Sequence, residues 1–278
     1  MIQELFKIGP LTISPFGVML MLAFLAAYFQ LAWGMKRLEA GDAEDASAVM
    51  LWAGFAGIAG GKIYYAALYG DWRLLFERSG IVWYGSFLAG TAAVLWVMRR
   101  RGLPGWLTAD AAAPGLAIGY AVGRIGCFLV GDDYGIPTDL PWAVAFPRGL
   151  PPTQAYFLRE EFGVPVDPSL PGDALLTVHP TQLYETGLAL GIWAVGLLIL
   201  RRQRRAGVTV LTVVGLMAVE RFGVEFFRAK DDRFFGGFTL AQIISVVLVA
   251  AVGVLAWRRF GERRRSGVPV PDGGRRGS

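Results

Sequence analysis

Three cations stand inside otherwise apolar stretches of this chain: Lys62, Arg124 and Arg221. Glu225 follows Arg221 by one helical turn, so its carboxylate shares a face with the guanidinium and can hold it in place. Glu220 and Arg228 extend that polar stripe, and Asp132 follows Arg124 in the chain. A charge inside a membrane span costs roughly 3 kcal/mol or more unless it is paired or faces water, so each one is a functional hypothesis. Arginine offers paired donors in a rigid planar fork that matches phosphate oxygens. The chemistry these residues point to is the gripping of an anionic phospholipid head group. The plainer reading is a set of ion pairs that tie helices together. For Lys62 alone, an ammonium reaching outward to the surface is the better account. For Arg124 and Arg221 only Asp132, Glu220 and Glu225 are at hand to neutralise them, and the head-group reading is preferred.

These residues need apolar helices to carry them. The chain has 278 residues, 54% of them hydrophobic, with mean hydropathy +0.46. Its charges fall mostly in short runs between long apolar stretches, the pattern of a polytopic membrane protein. Crossing the hydrocarbon takes roughly 20 helical residues. Seven stretches qualify, at about Leu11–Trp33, Ala46–Leu68, Ile81–Met98, Trp106–Val130, Thr181–Leu200, Gly207–Phe227 and Phe238–Trp257. Asp110 is a further charge in the fourth. Basic runs follow the first, third, fifth and seventh: Lys36-Arg37, Arg99-Arg100-Arg101, Arg201-Arg202 with Arg204-Arg205, and Arg258-Arg259 with Arg263-Arg264-Arg265. The positive-inside rule puts those ends in the cytoplasm, the N-terminus outside and the C-terminus inside. The first span does not read as a cleavable signal, since its charges follow the apolar run. The expected architecture is an all-α integral membrane domain over residues 1–260 in the lipid bilayer. It carries a Pro- and Gly-rich periplasmic arm at about 131–178, with little regular structure, between spans four and five. A disordered cytoplasmic tail is expected over 261–278.

In this arrangement Lys62, Arg124 and Arg221 each lie about six residues before the outer end of an outward-running span, roughly 10 Å below the surface. The pI of about 9.5 comes from charges at span ends, so no nucleic-acid partner is expected. With one cysteine, Cys127, and one histidine, His179, the chain holds no internal disulfide, no multi-cysteine zinc site and no His-rich metal site.

Two segments are more particular. Gly123-Arg124-Ile125-Gly126-Cys127-Phe128-Leu129-Val130-Gly131-Asp132-Asp133-Tyr134-Gly135 sets glycines for close helix approach around an embedded arginine, then exits sharply into the arm. His179-Pro180-Thr181-Gln182-Leu183-Tyr184-Glu185 opens the fifth span and reads as a capped helix entry. These, with Glu220-Arg221-Phe222-Gly223-Val224-Glu225-Phe226-Phe227-Arg228 and Leu240-Ala241-Gln242-Ile243-Ile244-Ser245, resemble the prolipoprotein diacylglyceryl transferase family in order, spacing and layout.

The resemblance implies transfer of a diacylglyceryl group from phosphatidylglycerol to the lipobox cysteine thiol of preprolipoprotein signal peptides. The reaction would take place on the outer side of the bacterial inner membrane, without metal or cofactor. Carried over by motif, Arg124 and Arg221 match the head-group arginines, Glu225 the acid beside the second, and Gly135 the end of the signature segment. The chain departs from the pattern where Tyr84-Gly85-Ser86 stands for a His-Gly-Gly segment, Cys127 for an asparagine, and Asp132 for a glutamate. Phe16 and Met217 stand where tyrosines are usual. A thiolate must form, and Asp132, Glu225, His179 and Tyr84 are the candidates to take its proton. The rival readings are a non-catalytic relative that binds an anionic phospholipid or a signal peptide, and a transporter.

Overall fold

The computed structural model describes residues 4–9, 11–77, 80–202, 205–230, 233–235 and 237–261. The tail expected after Gly261 lies outside them. A short antiparallel hairpin, β1 (Phe6–Ile8) with β2 (Leu11–Ile13), precedes α1 (Pro15–Arg37). Leu11–Ile13 was expected at the start of the first span. The chain stays extended there because Ser14 caps the helix, its hydroxyl accepting from the Gly17 N–H at 3.1 Å, and Pro15 takes the first turn.

The remaining long helices are α2 (Ala43–Tyr69), α3 (Trp83–Arg101), α4 (Gly105–Val130), α5 (Thr181–Arg202), α6 (Val208–Val224) and α7 (Leu240–Ala256). Their starts and stops follow local chemistry. A reciprocal Asp42/Asp45 capping box opens α2, and a Thr239/Gln242 box opens α7. Gly70, Gly102 and Gly131 close α2, α3 and α4 in the left-handed conformation. Five helical segments, α1, α2, α4, α5 and Leu240–Gly261, are long and apolar enough to cross a membrane. This is a multi-pass, all-helical membrane architecture. The sixth stretch stops at Val224, short of the expected Phe227, and turns into a 3-10 segment, Glu225–Phe227.

Helix α4 is the hub, packed against α1, α5 and α6, while α7 rests on α6 and α3 packs on α2. Small residues make the close contacts. A methyl on Gly34 of α1 would come within 2.9 Å of the Ala111 backbone on α4, and one on Gly60 within 2.5 Å of the Gly85 carbonyl on α3. Asp110, fully buried in α4, is accounted for by capping α6. Its carboxylate accepts the N–H groups of Gly207 and Val210, the latter at 2.8 Å.

The arm between α4 and α5 has little regular structure, yet it is packed. Tyr134, Phe146, Leu158, Val164, Val178 and Ala229 form a buried apolar cluster of their own. Isolated bridges Gly135–Arg228, Pro137–Val178, Val144–Val178 and Gln154–Leu175 fold the arm onto itself and onto the segment after α6.

Candidate active site

Where α4 ends, α5 begins and α6 ends, one carboxylate organises the charges. Glu185, on the second turn of α5, has a wholly buried side chain. Its two oxygens face Arg124 of α4 at 2.7 Å (Nε) and 2.8 Å (Nη2). Its Oε1 also meets Nη1 of Arg221 of α6 at 3.2 Å and accepts from the Tyr120 hydroxyl at 2.9 Å. Burying a carboxylate is costly unless it is paired and hydrogen-bonded, and here two arginines and a phenol from two other helices meet that requirement. Tyr120 precedes Arg124 by one turn, so its hydroxyl also accepts from Arg124 Nε at 3.2 Å.

A second carboxylate, Glu225, grips Arg221 Nη2 at 2.6 Å from one turn further on. A third, Asp133, lies on the arm just past Gly131. It bridges Arg124 Nη1 at 2.8 Å and Arg228 Nη2 at 2.6 Å. Arg228 is itself buried and lies 3.8 Å from Glu185 and 3.7 Å from Glu225. Three arginines and three carboxylates thus form one connected network. It is buried on the Glu185 and Glu225 side and open at Asp133, whose side chain is 46% exposed.

The motif opening α5 does more than cap a helix. The Thr181 hydroxyl donates to the Asp133 carbonyl at 2.8 Å and the Gln182 amide to the Asp132 carbonyl, so α5 fixes the path of the arm. Gly135 is pinned between strands of chain: its N–H donates to the His179 carbonyl at 2.9 Å, and a methyl there would fall 2.7 Å from His179 Cβ. That close approach carries the 132–135 turn onto Arg228. His179 is buried against Phe227, and its Nδ1 lies 3.1 Å from the Tyr184 hydroxyl, which also accepts from Trp142 Nε1 at 2.7 Å. Burial lowers the proton affinity of His179 below its ordinary value.

The two neighbouring aspartates are held differently. Partial desolvation works against the charged form of Asp133, but Arg228 and Arg124 outweigh it and bring its pKa down to about 2. Asp132 makes no ion pair among the described residues. Burial raises its pKa against the opposing effect of a hydrogen bond with the Cys127 thiol, and its Oδ1 has no hydrogen-bond partner. Cys127, Asp132 and Asp133 each offer a potential metal-ligand atom within 4.8 Å of one another. The guanidinium of Arg124, bonded to Asp133 and 3.7 Å from Cys127 Sγ, already supplies positive charge at that spot.

Of the residues singled out in the sequence, Arg124, Arg221 and Glu225 meet in this network, with Asp132, Gly135 and His179 beside it. Two do not join it. Lys62 of α2 donates to the Glu77 carbonyl, and Tyr84 of α3 is exposed, edge-on to Trp83. The sequence reading passed over Glu185, Asp133 and Tyr120 as site members. Glu185 carried a signal: it falls on the Thr181, Glu185, Ala189 stripe, one turn apart each time, that faces the helix partners.

The fold and site together define a multi-pass membrane protein with a buried arginine–carboxylate centre suited to a phosphate ester. The family model described as prolipoprotein diacylglyceryl transferase matches residues 3–258, and the chain belongs to that family. Among curated relatives named phosphatidylglycerol–prolipoprotein diacylglyceryl transferase, one from Synechococcus elongatus is 32% identical over 267 residues, covering 90% of this chain and 84% of that protein. One from Geobacter sulfurreducens is 31% identical, covering 91% and 95%, and one from Pseudomonas fluorescens 30% identical, covering 90% of each.

Proposed function

We propose that this chain transfers the diacylglyceryl group of phosphatidylglycerol to the lipobox cysteine thiol of preprolipoproteins, in the bacterial inner membrane. The observation that carries the reading is the buried Glu185 carboxylate, which presents Arg124 and Arg221 together in a chain of this family. The substrate sulfur, as thiolate, attacks a glycerol carbon. A C–S bond forms, the C–O bond to phosphate breaks, and glycerol phosphate leaves with the electron pair. Arg124, Arg221 and Arg228 stabilise the charge that builds on the departing phosphate, and Glu185 and Glu225 keep the forks aimed so that little reorganisation is needed. Gly135 and His179 shape the wall of the site where the arm crosses it.

For the thiol proton, Asp132 is the acceptor the geometry favours. Its Oδ1 is buried and without a hydrogen-bond partner, and burial lifts its affinity for a proton. Glu225 is committed to Arg221, His179 Nδ1 faces Tyr184, and Tyr84 is exposed on α3, edge-on to Trp83.

The proposal includes seven spans with the N-terminus outside, the arm over 131–178 in the periplasm and the tail over 261–278 in the cytoplasm. The four basic runs at alternate span ends support this. A cytoplasm-only reporter should be active after Ser278 and silent near Pro168; activity at Pro168 overturns the orientation. The function is tested by expressing the chain in a bacterium whose own transferase is shut off, alongside transfer to a lipobox peptide by purified protein. Rescue and transfer are expected, with Arg124→Ala and Arg221→Ala each losing both. Binding of phosphatidylglycerol without transfer or rescue would make the chain a lipid- or signal-peptide-binding relative instead.

A further inference from the structure

We infer that Asp133 is a built-in stand-in for the substrate phosphate: its carboxylate bridges Arg124 and Arg228 where two phosphate oxygens would sit, and it exchanges with them as lipid binds and product leaves. The inference rests on the phosphate-ester reading above and names the residue that sets affinity at that site.

Three observations carry it. The bridge has the form of a phosphate contact, with one oxygen on each guanidinium, Oδ2 to Arg124 at 2.8 Å and Oδ1 to Arg228 at 2.6 Å. Asp133 is also the accessible member of the network. Its side chain is 46% exposed, against 0% and 2% for Glu185 and Glu225, so a ligand arriving from outside meets Asp133 first. Finally, Asp133 sits at φ +55°, in the left-handed region, on a turn of the arm, whereas the other two carboxylates project from helical segments after or within α5 and α6. The turn is held by the Thr181 bond to the Asp133 carbonyl, so the side chain can leave while the backbone stays.

The exchange has a charge logic. Removing a partner from a buried arginine strands an uncompensated charge. A phosphodiester carries one negative charge, so replacing the Asp133 carboxylate with lipid phosphate keeps the balance. Arg124 stays anchored on Glu185 throughout, and Arg228 stays near Glu185 and Glu225. The product is a phosphate monoester with a charge of about −1.5 to −2 at neutral pH, and by itself would hold the arginines harder than the substrate does. A resident carboxylate that returns to both guanidiniums offsets that and speeds product release.

The test uses the full chain in nanodiscs of zwitterionic lipid, titrated with phosphatidylglycerol and separately with glycerol 1-phosphate. Asp133→Asn keeps shape and removes charge; Asp133→Glu keeps charge. The Asn variant should bind both ligands on the order of tenfold more tightly. If transfer is measured, KM should fall, product inhibition should deepen and kcat should drop in the Asn variant, and the Glu variant, which keeps the charge, should shift less than the Asn variant in each. Unchanged or weaker binding of both ligands by a folded Asn variant would make Asp133 a structural latch and overturn the inference. Carboxyl footprinting of the unmutated chain is independent of any variant's folding. Added phosphatidylglycerol should raise carbodiimide labelling of Asp133, and unchanged or reduced labelling there overturns the inference. A parent chain that binds phosphatidylglycerol but transfers nothing sinks the transferase reading alone, and the exchange is then judged on binding.

Discussion

Glu185→Gln tests whether one buried carboxylate holds the site together. The replacement keeps the volume and one accepting oxygen but removes the charge and turns an amide NH2 towards cationic neighbours. Breaking a buried pair by removing one partner costs about 3–5 kcal/mol. Here the cost should fall near the lower figure, because Arg124 keeps Asp133 and Arg221 keeps Glu225. About 3 kcal/mol, at roughly 2–4 °C per kcal/mol for a chain of this size, gives a drop in Tm of about 6–12 °C. Tryptophan fluorescence of detergent-solubilised protein measures that directly. Transfer should fall at least as far as in Arg124→Ala, since Arg124 and Arg221 lose their common anchor. Pairing Glu185→Gln with Arg124→Gln should give a coupling energy above about 1 kcal/mol, as contacting residues do. A Glu185→Gln protein with Tm within about 2 °C of the parent and an unaltered transfer rate would refute the argument that this carboxylate organises the arginines.

Other consequences are quicker to check. Gly135→Ala should destabilise by about 1–3 kcal/mol through overpacking, because the new methyl meets His179 and the Phe227 carbonyl; a thermal shift assay reads it, and a neutral result denies the close crossing. The pH dependence of the arm follows from Asp133, whose folded pKa of about 2 lies below the unfolded value of about 3.9. Its contribution is fully present above that unfolded value and is lost as pH falls towards 2, so proteolysis of the arm should accelerate in that window, and less so in Asp133→Asn. Asp110→Ala should lower Tm without altering lipid affinity, because it uncaps α6 far from the arginines.

How much of this the sequence carried depends on which force sets each feature. Apolar runs bounded by basic residues gave the positions of α2 to α7 to within a few residues, since lipid exposure demands length and composition more than detail. The start of α1 was less legible. Leu11–Ile13 is as apolar as a span, and only the Ser14-Pro15 cap marks where the helix begins. Arg124, Arg221 and Glu225 stood out because charge in an apolar stretch needs a reason. Glu185 did not, because a glutamate one turn after His179-Pro180-Thr181 also satisfies the chemistry of a helix entry. Tertiary contact decides between the two roles, and it places the carboxylate inward.

The paired aspartates show where a linear reading stops. Family spacing directs attention to Asp132, as the acid matching the usual glutamate. The fold instead turns Asp133 onto the arginines, because Gly131 ends α4 in the left-handed conformation and Asp133 adopts it again at φ +55°. Two adjacent carboxylates thereby acquire opposite characters. Asp133, between Arg124 and Arg228, is held ionised, while Asp132, half-buried beside Cys127, has its proton affinity raised. Environments that push two acids apart are what a reaction needs when one step requires fixed charge and another requires a proton acceptor. Exchanging the pair, as Asp132→Asn against Asp133→Asn, should therefore separate the functions. The first should lower the transfer rate with phosphatidylglycerol affinity kept, and the second should shift affinity. Equal effects of the two variants on both quantities would show that the turn acts as a single structural unit.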